Sequence, residues 1–156
     1  MQRPIIGFHT DTAGDWVAEL DCGHAQHVRH TPPFMERPWV TSEAGRQSRL
    51  GQMLDCVRCD ASELPEHYVA YKQTAEFSER SLPAGLQRGH TTKAGIWAKI
   101  HVRAGRVRYC VDDRGTVQEL AAGEAGIVVP QVVHHLELRG PVRLQVEFYR
   151  DPRRAQ

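Results

Sequence analysis

The chain has 156 residues, 40% hydrophobic and 25% charged, the composition of an ordinary globular protein of one or two domains, which excludes a disordered, collagen-like or coiled-coil chain. No apolar run approaches the roughly 18 residues of a membrane span, and the opening MQRPIIGFHT lacks the pattern of a signal peptide, so a cytoplasmic protein with no membrane partner is expected. The net charge of +1 divides into six Lys/Arg against eight Asp/Glu in residues 1–60, two against four in 61–80, and twelve against seven in 81–156. That excess is small beside nucleic-acid modules, whose pI usually exceeds about 9. Nucleic acid is therefore not an expected partner, and Arg103, Arg106 and Arg108 read as solvated residues at a strand turn that could assist a small anion.

In chain order, IIGFHT and WVAELD around the turn-rich DTAGD predict a β-hairpin. CGHAQHVRH follows, then TPPFMERPWV, which its prolines make extended or looped. Ser42 is placed to cap a short helix over EAGRQSRLGQ, weakened by Gly45. LDCVRCD closes the first part near residues 61–67. YVAYKQTAEFSER allows helix or strand, and a strand is favoured. IWAKIHVR, RVRYCVD, TVQEL, AGIVVP, HHLELR and VRLQVEFYR, separated by AG, DDRG, AAGE and RGP, predict six short strands of a sandwich or barrel. DPRRAQ is expected to be a frayed tail.

Cys22, Cys56 and Cys59 lie in the first 60 residues, and four of the nine histidines lie in the first 30. In a reducing compartment such clustering points to a metal rather than disulfides. Cys22-Gly-His24 and Cys56-x-x-Cys59 supply the four Cys/His ligands of a structural zinc site. Their spacing resembles one half-site of a RING finger, and the second half-site is missing. Gly23 permits a tight backbone between the first two ligands. His27 and His30 are rivals to His24 for the fourth position. A redox C-x-x-C is the alternative, weakened because no βαβ pattern surrounds it. A part of about 60 residues buries little surface and gains from a metal staple.

In the second half, His90 before the first long strand and His134 after the turn at Pro130 can converge inside a small β-barrel. Two imidazoles and a carboxylate suit Fe(II), Zn or Mn. Glu147 is the candidate carboxylate, although strand parity puts it opposite Leu144, Val146 and Phe148. His134 shares a parity with Leu136 and Leu138, so it is expected to face inward. Cys110 reads as core. Lys93 and Trp97 fit either a pocket mouth or a solvated rim.

The stretch GDWVAELDCGHAQHVRHTPPFMERPWV, with LDCVRCD after it, resembles a small bacterial domain family of unknown function over residues 5–60. YKQTAEFSERSLPAGLQRGHTTKAGIWAKIHVRAGRVRYC and VVPQVVHHLELRGPVRLQVEFYR resemble the cupin-like domain of TehB-type tellurite-resistance proteins over residues 70–150. The second resemblance implies a compact antiparallel cupin barrel and a pocket holding His90, His134 and perhaps Glu147. The chain departs from the general cupin pattern, with Thr92 in place of the second histidine and no glutamate before Gly105. The methyltransferase part of TehB has no counterpart in it.

The resulting expectation is a mainly β protein: a zinc-stapled β/α domain at residues 1–62, then a cupin-like antiparallel β-barrel at 68–151. Three functions compete. One is a metal-binding stress-response protein whose cupin pocket takes a small molecule, oxyanion or metal. Another is a cupin enzyme with a second divalent ion (Zn, Fe or Mn) on His90, His134 and Glu147. The third is an adaptor that docks through the zinc domain and forms a homodimer through the cupin.

Overall fold

The computed structural model describes residues 1–154. The chain forms two compact units, Met1–Ala61 and a second starting at Ser62. No helix among the described residues is long and apolar enough to cross a membrane.

The first unit is built on β1 (Gln2–Thr10) and β2 (Trp16–Leu20), paired antiparallel as a hairpin. The Asp11 carboxylate accepts from the backbone N–H groups of Ala13 and Asp15, both at 2.9 Å, and so forms the turn. β3 (Ala25–His27) and β4 (Met53–Asp55) complete a sheet of order β3-β2-β1-β4. Ile5, Val17, Ala18 and Leu20 are buried in it. The helix α1 spans only Glu43–Gln47, with Ser42 Oγ accepting from Gly45 N–H. The expected continuation to residue 52 does not form, because Gly51 N–H instead donates to the Ile5 carbonyl and returns the chain to the sheet. The one-turn helix α2 (Val57–Asp60) follows β4.

The second unit is an antiparallel sheet rolled into a barrel-like shape. Its strands are β5 (Val69–Gln73), β6 (Phe77–Ser78), β7 (Trp97–Val111), β8 (Thr116–Ala121), β9 (Ala125–Val128) and β10 (His134–Arg150). The order is β5-β10-β7-β8, with β6 also on β10 and β9 also on β7. Where four strands were expected from IWAKIHVR, RVRYCVD, HHLELR and VRLQVEFYR, there are two long bent ones. The AG and RGP segments, read as turns, lie opposite each other: Val142 faces Gly105 across a break in register between Leu138 and Val142. Gly105 has φ +76°, and a Cβ there would lie 2.1 Å from the Pro141 carbonyl oxygen. The glycine and the proline therefore bend paired strands rather than ending them. The first half of β7 pairs β9 and its second half β8, while the second half of β10 pairs β6 and then β5, which rolls the sheet around Ile100, Val107, Tyr109, Leu120, Leu136 and Leu144.

The tail is held as far as Arg154. The buried Asp151 carboxylate accepts from the backbone and guanidinium of Arg153, which holds its carboxyl down at about 2. Frayed structure there was the wrong expectation, because the aspartate forms its own ion pair. Ala155 and Gln156 lie outside the described residues.

Candidate functional site

Two places gather chemistry, one in each unit. In the first, the chain turns sharply after β2. Gly23, at φ +88°, donates its N–H to the Leu20 carbonyl, and Leu20 N–H donates to the His24 carbonyl. This closed turn aims Cys22 and His24 at one point. The other arm comes from β4, whose partner β1 also pairs β2. Cys56 follows that strand directly, at the residue before α2, and Cys59 lies one turn on.

The four side chains meet. His24 Nδ1 lies 3.6, 3.3 and 3.6 Å from the sulfurs of Cys22, Cys56 and Cys59, and the Cys22 and Cys56 sulfurs are 3.9 Å apart. All four residues are buried, none of the cysteines is in a disulfide, and the set could hold a metal ion. Three thiols at one point cannot behave alike. The Cys22 thiol, hydrogen-bonded to Cys56, is pushed up, and bonds from Cys22 and Cys59 pull Cys56 down toward the thiolate. Neither rival histidine joins them. His27 Nε2 pairs with the Asp11 carboxylate at 2.9 Å, and His30 Nδ1 accepts from Arg37 N–H at 2.9 Å.

The second place is a cavity of about 640 Å³ in the barrel. His90 and His134 both line it, with ring centroids 4.1 Å apart. Their backbones exchange hydrogen bonds of 3.1 and 3.0 Å. His134 Nδ1 lies 2.8 Å from the Val132 carbonyl, and His90 Nδ1 3.3 Å from that of Arg88. A carbonyl only accepts, so each Nδ1 carries a proton, and in the neutral form of such a ring the Nε2 lone pair is left for another partner. Burial pushes His134 down to about 4, which makes it neutral at pH 7. As its parity predicts, it is buried beside Leu136.

Glu147 is not brought to these histidines. Its neighbours Val146 and Phe148 line the cavity, so alternation turns Glu147 to the opposite face. There its carboxylate accepts from the Tyr149 hydroxyl and pairs with His101 Nε2 at 3.1 Å. The expected His90–His134–Glu147 set is therefore not assembled, for the parity reason visible in the sequence.

Residues 72–146 match the model of the TehB-like domain. Residues 6–63, which include the Cys22, His24, Cys56 and Cys59 cluster, match the model of a family described as protein of unknown function, DUF3565. Among solved structures, a protein from E. coli strain K12 is similar at 22% identity and TM-score 0.54, over 58% of this chain and 97% of that one. TehB from Haemophilus influenzae is similar at 24% identity and TM-score 0.51, over 55% of this chain and 32% of TehB. The chain thus spans about a third of that protein, and both likenesses are of fold. A cupin-2 domain protein from Shewanella frigidimarina NCIMB 400 has 13% identity and TM-score 0.34. No curated protein matches.

Outside the cavity, the second unit holds a second set of donors that the sequence reading missed. Cys110, His135 and Glu137 bring ligand atoms within 4.8 Å of one another. Cys110 is buried, as the sequence reading has it, and sits directly across from His135, on the face opposite Tyr109 and Leu136. Only the register of β7 on β10 reveals this set. Its donors are already engaged: His135 Nδ1 with Asp112 at 2.7 Å, and Glu137 with Arg108 and Arg139 at 2.7 and 3.2 Å. Arg108 also holds Glu119, and none of Arg103, Arg106 and Arg108 lines the cavity. Trp97 is fully buried rather than at a rim, whereas Lys93 does line the cavity.

Proposed function

We propose that this protein binds a small molecule in its TehB-like barrel and carries a zinc-stapled domain N-terminal to it in the sequence. The observation that carries the binding reading is the convergence of His90 and His134 on one cavity, each with Nδ1 committed to a carbonyl and Nε2 left to a ligand. A volume of about 640 Å³ falls in the range of roughly 300–1,000 Å³ that organic ligands occupy. Resemblance to TehB-type tellurite-resistance proteins supports a place in stress resistance.

Zinc is the ion the first cluster fits. Tetrahedral zinc with Zn–S about 2.3 Å and Zn–N about 2.0–2.1 Å sets its ligands roughly 3.8 Å apart for two sulfurs and roughly 3.6 Å for sulfur and nitrogen. Cys22 to Cys56 is 3.9 Å, and His24 to the three sulfurs is 3.3–3.6 Å. With all four positions filled by protein, the ion's work there is structural.

A metal-dependent enzyme is the second reading. It is favoured by the carbonyl-fixed tautomers, because metal-binding histidines commonly donate the other ring N–H to such a partner. A thermal-shift screen of small organic acids, alcohols and tellurite, with and without added Fe(II) or Mn(II), tests both. Ligands that stabilise the wild type and not the His90→Ala/His134→Ala variant are expected. Equal shifts in the two proteins would overturn the pocket reading, and a shift that requires the added metal would favour the enzyme.

A further inference from the structure

We infer that the cavity takes an amphipathic organic anion, an acid with an apolar body, rather than a bare inorganic oxyanion. This rests on the reading of the cavity as a ligand site. No Asp or Glu lines it, and two lysines do, Lys72 and Lys93. Neither lysine makes an ion pair among the described residues. Elsewhere in this unit, Arg108, Arg139, Arg143 and Arg153 are each held by a carboxylate. Two unneutralised ammonium groups beside an acid-free cavity favour a negative guest.

The walls decide what kind. Ile100, Val128, Leu136, Val146 and Phe148 line the interior and offer no side-chain donor. A small hydrated oxyanion against those side chains would shed water and recover few of its hydrogen bonds, the hydroxyls of the lining being those of Tyr71, Thr74, Thr91 and Thr92, and it would leave most of the apolar wall uncovered. An apolar body covers that wall. Both lysines are exposed residues, and the Lys72 ammonium stands 5.9 Å from the ring centre of Phe148. The acid can therefore meet its cations at the wet mouth while its body stays within, which spares the charge full desolvation. The nearby arginine run does not contribute, since none of Arg103, Arg106 and Arg108 lines the cavity.

Isothermal titration of the full chain with decanoate, decanol and tellurite tests this, in the wild type and in Lys72→Met/Lys93→Met. Both lysines are exposed and methionine keeps the stem, so folding is not at stake; circular dichroism verifies it. Decanoate is expected to bind about tenfold or more tightly than decanol, as a charge-assisted contact implies, with no heat from tellurite. In the double variant decanoate should fall to the level of decanol, and decanol should be unchanged. Equal affinities for acid and alcohol in the wild type, or a double variant that still prefers the acid, would overturn the inference and leave the cavity a ligand site. Tellurite binding without decanoate binding would replace it with an oxyanion site. Binding of none of the three would sink both this inference and the pocket reading.

Discussion

His90 and His134 are paired through their backbones, with reciprocal hydrogen bonds of 3.1 and 3.0 Å, so their rings approach to 4.1 Å by construction of the sheet rather than by side-chain choice. Holding one of those rings in an apolar interior has a cost that depends on pH. Burial takes His134 from 6.5 down to about 4. Between those values the unfolded chain binds a proton that the folded chain refuses, so stability is full above about pH 6.5 and falls as the pH drops toward 4. The full effect is on the order of 3 kcal/mol. Urea unfolding of wild type and His134→Leu between pH 4 and 7 should show a difference in slope that vanishes above pH 6.5. Parallel curves would mean that His134 is protonated in the fold.

Removal of metal from the first cluster is expected to unfold residues 1–61 and leave the barrel folded, because binding energy at such a site is folding energy. Elemental analysis should give one zinc per chain in the wild type and in His27→Ala and His30→Ala. Cys56→Ser and His24→Ala should lose it. His24→Cys should keep it, since four thiolates also suit zinc. Loss of the metal in His27→Ala or His30→Ala would mean that the ligand set is wrong.

Much of this was legible in the chain, and the boundary is physical. Cys22, Cys56 and Cys59, with His24 as one of three candidate histidines, were readable because turn geometry is local: Gly23 and the C-x-x-C spacing each bring a pair together. The choice of His24 over His27 and His30 was not readable, because it depends on which side chains find partners at Asp11 and Arg37. His134 was readable from parity, and its meeting with His90 depends on a long-range backbone pair. Gly105 and Pro141 looked like chain reversals. Only their mutual placement across β7 and β10 shows that they bend strands.

Glu147 gives a contrasting prediction. Its carboxylate is held by Tyr149 and His101, with Tyr149 the larger cause of its lowered pKa, and it does not line the cavity. Glu147→Gln should leave ligand binding in the barrel unchanged and alter stability by no more than about 1 kcal/mol, as partly exposed polar pairs do. A loss of cavity binding comparable to that of His134→Ala would return Glu147 to the site.

Gly105 carries the sharpest demand on the fold. At φ +76°, a Cβ would lie 2.1 Å from the Pro141 carbonyl oxygen and 3.1 Å from Val142 Cα. Both contacts are backbone, so no side chain can rotate to relieve them. Gly115, at φ +60° with nothing within 4 Å, has the same left-handed strain without the clash. Gly115→Ala should therefore cost about 1–2 kcal/mol. Gly105→Ala should cost several kcal/mol, because β7 and β10 must separate or shift register where they bend. Denaturant midpoints of the two variants, compared at equal slope, measure the difference directly. Equal midpoints would show that the strands can open at Pro141 without loss, and the bend would then not be what holds the sheet in its rolled form.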